Sequence, residues 1–312
     1  MSSAYATVVN PPIRMLPSLL ALIRDAERED RHEVLESHRW INHANADAEN
    51  LHGIGVVRGD TMIGYAHLRR HHRHGVELDL VIAPTARWDA RAIVAALVDA
   101  ACDSTTIDPG EELFAWVPAS SAEVVKALRS LGFQADRSIL QLRRPLPLPK
   151  DHPARPLQAP PVSVRPFVPG VDEEAWLEVN NRAFAGHPDQ GDWDRATLVS
   201  REREPWFDPE GFLMAWQGDE LVGFCWTKVH TPRAGEPLGE IYVIASDPTR
   251  APRGLGSWLL TLGLDLLASR GLPTAMLYVE RSNDRARSLY DRFGFALDHE
   301  DLRLVRRWQP RD

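Results

Sequence analysis

Cysteine is nearly missing from this chain of 312 residues: there are two, Cys102 and Cys225, each inside an apolar segment. Two isolated thiols build neither a disulfide framework nor a cysteine metal site, and they suit a reducing compartment. Long apolar runs are missing as well. A membrane helix needs about 20 consecutive apolar residues, and the most tempting stretch, LPSLLALI at 16–23, is far shorter. It runs into RDAEREDR rather than a small-residue cleavage site, so no signal peptide and a cytoplasmic location are expected. Excess positive charge is also lacking. The 36 Lys and Arg stand against 44 Asp and Glu, a net charge of −8, which is the wrong sign for a nucleic-acid surface. With 44% hydrophobic and 26% charged residues the chain is neither disordered nor membranous in type. Histidine is plentiful, but the run RRHHRHG at 69–75 lacks acidic or thiol companions, so it reads as a solvated loop and no metal site is expected.

What the chain does contain is one pattern written twice. The segment 143–162, RRPLPLPKDHPARPLQAPPV, is dense in proline and has no helical or strand period, so it reads as a linker. It divides the chain into a first domain at 1–145, a linker at 146–162 and a second domain at 163–312. Pro84 in the first half answers Pro248 in the second, and ALRSLGF (127–133) answers SLYDRFGF (288–295). The offset hardly changes between the two anchors, as a duplicated domain requires and a short-period solenoid does not. Within the second half, strands at 165–168, 211–230, 239–246 and 274–280 alternate with helices at 172–185, 253–271 and 282–295. The 211–230 stretch is a hairpin turning at QGDE, and Ser282 or Asn283 sits near the N-cap of the last helix. Such alternation predicts an α/β architecture with a mixed sheet.

The two copies differ at one junction. EIYVIASDPTRAPRGLGSWLLTLGLDLLAS (240–269) passes from strand to helix through Arg253, Gly254, Leu255 and Gly256. A helix N-terminus presents free backbone N–H groups and the positive end of the helix dipole. A phosphate reaches them where no Cβ stands in the way, so R-G-L-G opening a helix reads as a pyrophosphate site. A tight strand-to-helix turn without a ligand would also use glycines. In the first copy, VELDLVIAPTARWDARAIVAALVDAA (76–101), the matching residues are Asp89, Ala90 and Ala92. An anion and two methyl groups there oppose phosphate, and the first copy is expected to keep the fold without the cofactor.

Strand, loop, R-G-x-G, helix, strand and then N…SLYDRFGF resemble the GNAT superfamily of acetyl-CoA-dependent N-acetyltransferases, in outline over both halves and in detail over the second. More narrowly, VNNRAFAGHPDQGDW (179–193), WFDPEGF (206–212), GFCWTKVH (223–230) and GEIYVIASDP (239–248) are similar to the mycothiol synthase family of actinobacteria. Those are tandem-GNAT enzymes that acetylate the cysteinyl amine of cysteinyl-glucosaminyl-inositol. The resemblance implies two tandem GNAT domains, each a mixed, mostly antiparallel sheet flanked by helices. It implies one acetyl-CoA per chain, in the second domain, and a monomer acting on a small molecule.

The resemblance also implies roles. A free α-amine has a pKa of about 7.7–8, so a general base has modest work to do. Glu240 is the counterpart of the residue that handles the amine through water. Tyr290 is the donor to the departing thiolate, and the first copy carries Arg129 there. The backbone of Ile244, Ala245 and Ser246 pairs with the pantetheine arm and polarises the thioester carbonyl. Residues 251–257 (Ala251, Pro252, Arg253, Gly254, Leu255, Gly256 and Ser257) take the pyrophosphate. Asn283, Arg285 and Ser288 contact the cofactor, with Ser121 matching Asn283 in the first copy. Asp189, Lys228, Glu240 and Tyr278 contact the acceptor.

Some positions depart from the family. Ala251 stands where Gln or Arg opens the phosphate loop, with Arg250 one place away, and Asp189 replaces a Glu. An acidic contact from the first fifty residues is not assigned among Glu33, Glu36 and Asp47. Two other readings stay open at this level: a GNAT enzyme for another small amine, such as an amino sugar or polyamine, and a non-catalytic acetyl-CoA sensor.

Overall fold

The computed structural model describes residues 5–30, 53–71, 75–104, 108, 110–187, 190–230 and 236–308. By its contacts the chain forms two units, Met1–Ile139 with His299–Asp312, and Leu140–Asp298.

In the first unit β1 (Ala6–Val9), α1 (Leu16–Asp30), β2 (Ile54–Arg58), β3 (Thr61–His71) and β4 (Gly75–Ile82) are followed by a 3-10 turn at Pro84–Asp89 and α2 (Ala90–Ser104). Then come β5 (Glu112–Pro118), α3 (Ala122–Ser130) and β6 (Gln134–Pro145). The last strand of the chain, β12 (Ala296–Arg307), pairs antiparallel with β5 from Asp301–Pro118 to Arg307–Glu112. The sheet order is β1-β2-β3-β4-β5-β12. Its ladders are antiparallel except for β4 and β5, which run parallel. Helix α2 buries Ile93, Val94, Leu97, Val98 and Ala101, a stripe at the spacing of one helix face, against the strands. Leu19, Leu22, Ile23 and Ala26 of α1 do the same beside Met62, Tyr65 and Val81.

The second unit holds β7 (Ser163–Pro166), α4 (Glu173–Ala183), α5 (Arg195–Glu202), β8 (Phe212–Gln217), β9 (Glu220–His230), β10 (Leu238–Ser246), α6 (Leu255–Ser269), β11 (Thr274–Glu280) and α7 (Asp284–Arg292). Its sheet order is β6-β11-β10-β9-β8-β7. The β7–β8, β8–β9 and β9–β10 ladders are antiparallel and β10–β11 is parallel. Each sheet is thus mixed, mostly antiparallel and flanked by helices.

These units cut across the sequence halves expected at 1–145 and 163–312. The strand after the second Gly-Phe pairs with β5, so residues 299–307 count with the first unit. Residues 140–145 of β6 count with the second. The Pro-rich segment is also folded onto the second unit: Leu148 is buried among its leucines, and Arg155 donates to Asp265 from both terminal guanidinium nitrogens, at 2.9 and 2.5 Å.

Two cores sandwich the second sheet. On one face the α6 leucines 255, 259, 260, 264 and 267 meet Cys225, Ile241, Ala275 and Leu277. The approach is close: a Cβ on Gly263 would come within 2.7 Å of the Cys225 Sγ, and one on Gly239 within 2.8 Å of Leu267. On the other face Trp176 of α4 packs against Phe224, Trp193 and Trp226, and Phe212 stacks on Trp226 with ring centres 4.3 Å apart. Burying each such side chain contributes about 1.5–3 kcal/mol. Among the described residues no helix is long and apolar enough to cross a membrane.

Candidate active site

The β10–β11 ladder is short. It covers Gly239–Ala275 and Glu240–Met276, while β10 stays paired with β9 out to Ser246–Gly223. Beyond Glu240, the β11-facing edge of β10 has no ladder partner among the described residues. Backbone N–H and C=O groups alternate between β9 and this edge; Asp247 N–H bonds the Val222 carbonyl, so Ala245 is turned to β9 and the groups of Ile244 and Ser246 are the ones available to an extended ligand.

The open edge leads to the start of α6. Asp247 folds the intervening turn. Its Oδ1 accepts from the Thr249 and Arg250 backbone N–H groups at 2.8 and 3.1 Å and from the Thr249 hydroxyl at 2.7 Å. Its Oδ2 accepts from Arg182 Nε at 3.0 Å. Burial works to raise the pKa of this carboxyl, but the Thr249 and Arg250 hydrogen bonds and the Arg182 charge outweigh it and hold the group below the usual range. Gly254 is then the N-cap of α6 at φ 86°, a left-handed conformation that favours glycine. Gly256 is under no such constraint. It lies inside α6, and a Cβ on it would meet only Ser246 Oγ, at 3.7 Å. Neither conformation nor packing explains that glycine, whereas an open approach to the helix N-terminus does. Arg253 is exposed beside it, and Ala251 packs against the α6 leucines. Arg250 is turned toward Glu220, at 3.5 Å. An extended ligand that carries a phosphate group therefore fits this edge and helix start.

The first unit treats the same junction differently. Its helix follows directly from a 3-10 turn, and the Ala90 N–H is already bonded to the Arg87 carbonyl. Ala90 is buried in the core, so its methyl group obstructs nothing outside; of the two alanines only Ala92 is exposed. The expectation that both methyl groups block the site is corrected accordingly.

On the face of β10 away from α6 stands Glu240, 5% exposed. Its Oε2 lies 2.6 Å from His230 Nε2. Lys228 is opposite Glu240 in the β9–β10 register. Its Nζ sits over the rings of Trp206, 4.7 Å from the centroid, and Tyr242, 5.5 Å away. Tyr242 shares this face with Glu240 by strand alternation, and a bulge between Ile241 and Val243 turns Val243 to the same side. Two strands away Gln141 Nε2 donates to the Tyr278 hydroxyl at 2.6 Å. Tyr290 of α7 is buried, edge-on to Phe295, and burial pushes its phenol pKa up. Its hydroxyl makes no hydrogen bond among the described residues. Asn283 is the N-cap of α7, its Oδ1 accepting from Ala286 N at 3.1 Å, which settles the choice between Ser282 and Asn283. Arg285 and Ser288, three apart on that helix, are exposed. Asp189 lies outside the described residues, as do Glu33, Glu36 and Asp47.

Comparison with known proteins decides the family. The Acetyltransferase (GNAT) family matches residues 174–295. A mycothiol acetyltransferase of Acidimicrobium ferrooxidans is 65% identical over 97% of this chain and 97% of its own. The chain belongs to the mycothiol acetyltransferase family. A second member, from Streptomyces avermitilis, is 39% identical over 91% of this chain and 89% of its own. Among solved structures, a GCN5-related N-acetyltransferase from Sphaerobacter thermophilus shares the fold with a TM-score of 0.73 at 20% identity, covering 99% of this chain and 98% of that one. A tandem GNAT protein from the clavulanic acid biosynthesis pathway gives 0.71 at 14% identity, with 99% of each chain covered. The tandem GNAT architecture read from the duplicated sequence is the fold of the chain.

Three side chains of this family site escaped the sequence reading: His230, Gln141 and Trp206. His230 had a signal, because it stands two residues after Lys228 on a strand and so shares its face. Gln141 had none, being in the first half of the sequence and reaching Tyr278 only through the strand order.

Proposed function

We infer that the chain transfers the acetyl group of acetyl-CoA to the cysteinyl amine of cysteinyl-glucosaminyl-inositol, completing mycothiol. The family assignment supports the acceptor. The observation that carries the chemistry is the placement of a buried carboxylate, Glu240, near the open edge of β10, with a buried phenol, Tyr290, on α7.

Bound acetyl-CoA supplies an acyl group activated as a thioester. The chain does the rest. Backbone groups of Ile244 and Ser246 hold the extended arm, and the α6 N-terminus with Gly254, Gly256 and Arg253 holds the diphosphate. Asn283, Arg285 and Ser288 flank the same ligand from α7. Glu240 takes a proton from the attacking nitrogen, through water, as the C–N bond forms. Tyr290 gives its proton to the sulfur as the C–S bond breaks, and its raised pKa keeps that proton in place until then. Lys228 and Tyr278 meet the hydroxyl groups of the sugar and inositol, and Asp189 adds negative potential for the cationic amine. One acetyl-CoA binds per chain, in the second unit, since the first unit spends its helix start on a 3-10 turn.

The test is acceptor choice. Purified protein is given acetyl-CoA with cysteinyl-glucosaminyl-inositol, cysteinyl-glucosamine, glucosamine or spermidine, and acetylated product is measured by mass spectrometry. The proposal expects the highest kcat/KM for the first. Equal values for all four would leave a general amine acetyltransferase, and tight acetyl-CoA binding with no product would leave a sensor.

A further inference from the structure

The reading of Glu240 as proton acceptor leaves a problem. A carboxylate whose side chain is 6% exposed must pass each proton on to bulk solvent before the next turnover, and it is largely buried from that solvent. His230 addresses this. Its Nε2 is 2.6 Å from Glu240 Oε2, and its own side chain is 23% exposed. The ring thus touches the buried carboxylate at one nitrogen and lies nearer solvent overall. Both groups are fixed by the sheet: Glu240 faces Lys228 across the β9–β10 ladder, and Leu238 faces His230. The contact is the diagonal between those pairs, within reach of long side chains.

We propose that His230 is the proton outlet of Glu240, a relay residue for the acetyl transfer. This rests on Glu240 receiving the proton from the acceptor amine. In the step, the acceptor amine, already neutral after losing its ammonium proton to solvent, forms its bond to the acyl carbon and releases one proton to Glu240. Glu240 hands it to Nε2 of the neutral Nδ1–H imidazole, the ring releases its Nδ1 proton to water, and exchange with solvent returns the ring to that tautomer before the next turnover. Tyr290 meanwhile gives one proton to the leaving sulfur and regains one from solvent, so protons balance over the cycle. A histidine is suited to this because its two ring nitrogens can take a proton on one side and release one on the other. The other ionisable groups beside the pair are Lys228 on β9, held over Trp206 and Tyr242, and Tyr278 on β11, bonded to Gln141. On the segment carrying Trp206, Glu204 pairs with Arg201 and Asp208 with Arg270. Among these, His230 alone bonds to Glu240.

The experiment compares wild type with His230→Gln, His230→Ala and Glu240→Gln, using acetyl-CoA and cysteinyl-glucosaminyl-inositol and following loss of thioester absorbance. Glutamine can still donate a hydrogen bond to Glu240 but cannot relay a proton. The expected result for His230→Gln is a kcat lowered about tenfold or more, an acceptor KM within about twofold of wild type, and loss of the imidazole limb of the pH–rate profile. Added imidazole should restore turnover of His230→Ala in a concentration-dependent way. Imidazole nitrogen NMR of the ligand-free protein should show the His230 Nε2 signal displaced by Glu240→Gln, a readout independent of activity. If Glu240→Gln is slow while His230→Gln keeps the wild-type rate and pH profile, the relay is wrong and the reading of Glu240 survives. If Glu240→Gln itself has wild-type turnover, both fall. A His230→Gln protein that is slow at every pH by the same factor, with no imidazole rescue of His230→Ala, would also overturn the relay and leave a structural contact.

Discussion

A Cβ built on Gly256 would meet one atom from outside its own helix turn among the described residues, the Oγ of Ser246, at 3.7 Å. The consequence is a substitution that separates folding from binding. Gly256→Ala should leave the protein as stable or up to about 1 kcal/mol more stable, because alanine is the better helix former. Gly256→Val should weaken acetyl-CoA binding about tenfold or more, since its branches fill the approach to the α6 N-terminus. Ala92→Gly at the first-unit junction should leave binding unchanged. Thermal melts and calorimetry on the three variants check this. Calorimetry giving two equivalent sites in wild type would end the assignment of the cofactor to the second unit.

Tyr290→Phe removes a hydroxyl and little else. The phenol is buried and burial raises its pKa, so wild type keeps the proton well above neutral pH. The kcat of the variant should fall about a hundredfold with acetyl-CoA affinity unchanged. Stability should change by less than about 1 kcal/mol, because no protein partner is lost. The sign of the pH effect follows. The folded pKa lies above the unfolded value near 10, so this group's contribution to stability is complete below pH ~10 and declines above it. Tyr290→Phe should resist alkaline unfolding better than wild type. A variant with the wild-type rate across the pH range would make the tyrosine a packing residue.

These two sites differ in how legible they were. Gly254 and Gly256 stand out in sequence because a missing Cβ at a helix start has a physical meaning, and the exposed Ala92 of the first copy sharpens it. The alternation of strands and helices, the hairpin at QGDE and the Asn283 cap could likewise be read locally. Glu240 and Tyr290 needed the family resemblance, since a lone Glu on a strand or Tyr on a helix carries no pattern. The Glu240–His230 and Gln141–Tyr278 contacts depend on register and on which strands are neighbours. Local periodicity does not encode that. The same holds for β12, whose apolar alternation says strand but not that β5 is its partner.

Asp172 ties β7 to the start of α4. Its carboxylate accepts from both terminal nitrogens of Arg165, at 2.6 and 2.8 Å, and from the Val168 N–H at 2.7 Å. The Arg165 hydrogen bonds, chiefly, hold its pKa below the ordinary carboxylate range. Arg165 is 42% exposed, so solvent screens part of the attraction. Asp172→Asn should cost about 1–2 kcal/mol at pH 7. Because the folded pKa is depressed, the contribution is present above the unfolded value near 3.9 and is lost as pH falls through the folded value. The gap between wild type and variant in urea unfolding should therefore be constant from pH 7 to about 5 and shrink below pH 4. A gap that widens on acidification would contradict the sign.

Gln141 should act on the acceptor through Tyr278. It is 4% exposed, its Nε2 donates to the Tyr278 hydroxyl at 2.6 Å, and its Oε1 accepts from Arg143 Nε at 2.7 Å. Arg143 in turn pairs with Asp298 at 3.2 Å. Tyr278 is 42% exposed, so packing alone does not fix its ring, and the amide is one anchor for it. If Tyr278 meets a hydroxyl of the sugar, loosening it should weaken binding of the full acceptor without touching the chemistry at the amine. Gln141→Leu keeps the side-chain volume and removes the donor. The acceptor KM should rise about fivefold, the worth of roughly one hydrogen bond, with kcat unchanged. Cysteine methyl amide, which lacks the sugar, should be acetylated equally by wild type and variant. Tyr278→Phe should show the same pattern, and the double variant should be no worse than either single one, since both remove one interaction. Equal losses for the long and short acceptors would mean that Gln141 supports the sheet rather than the acceptor.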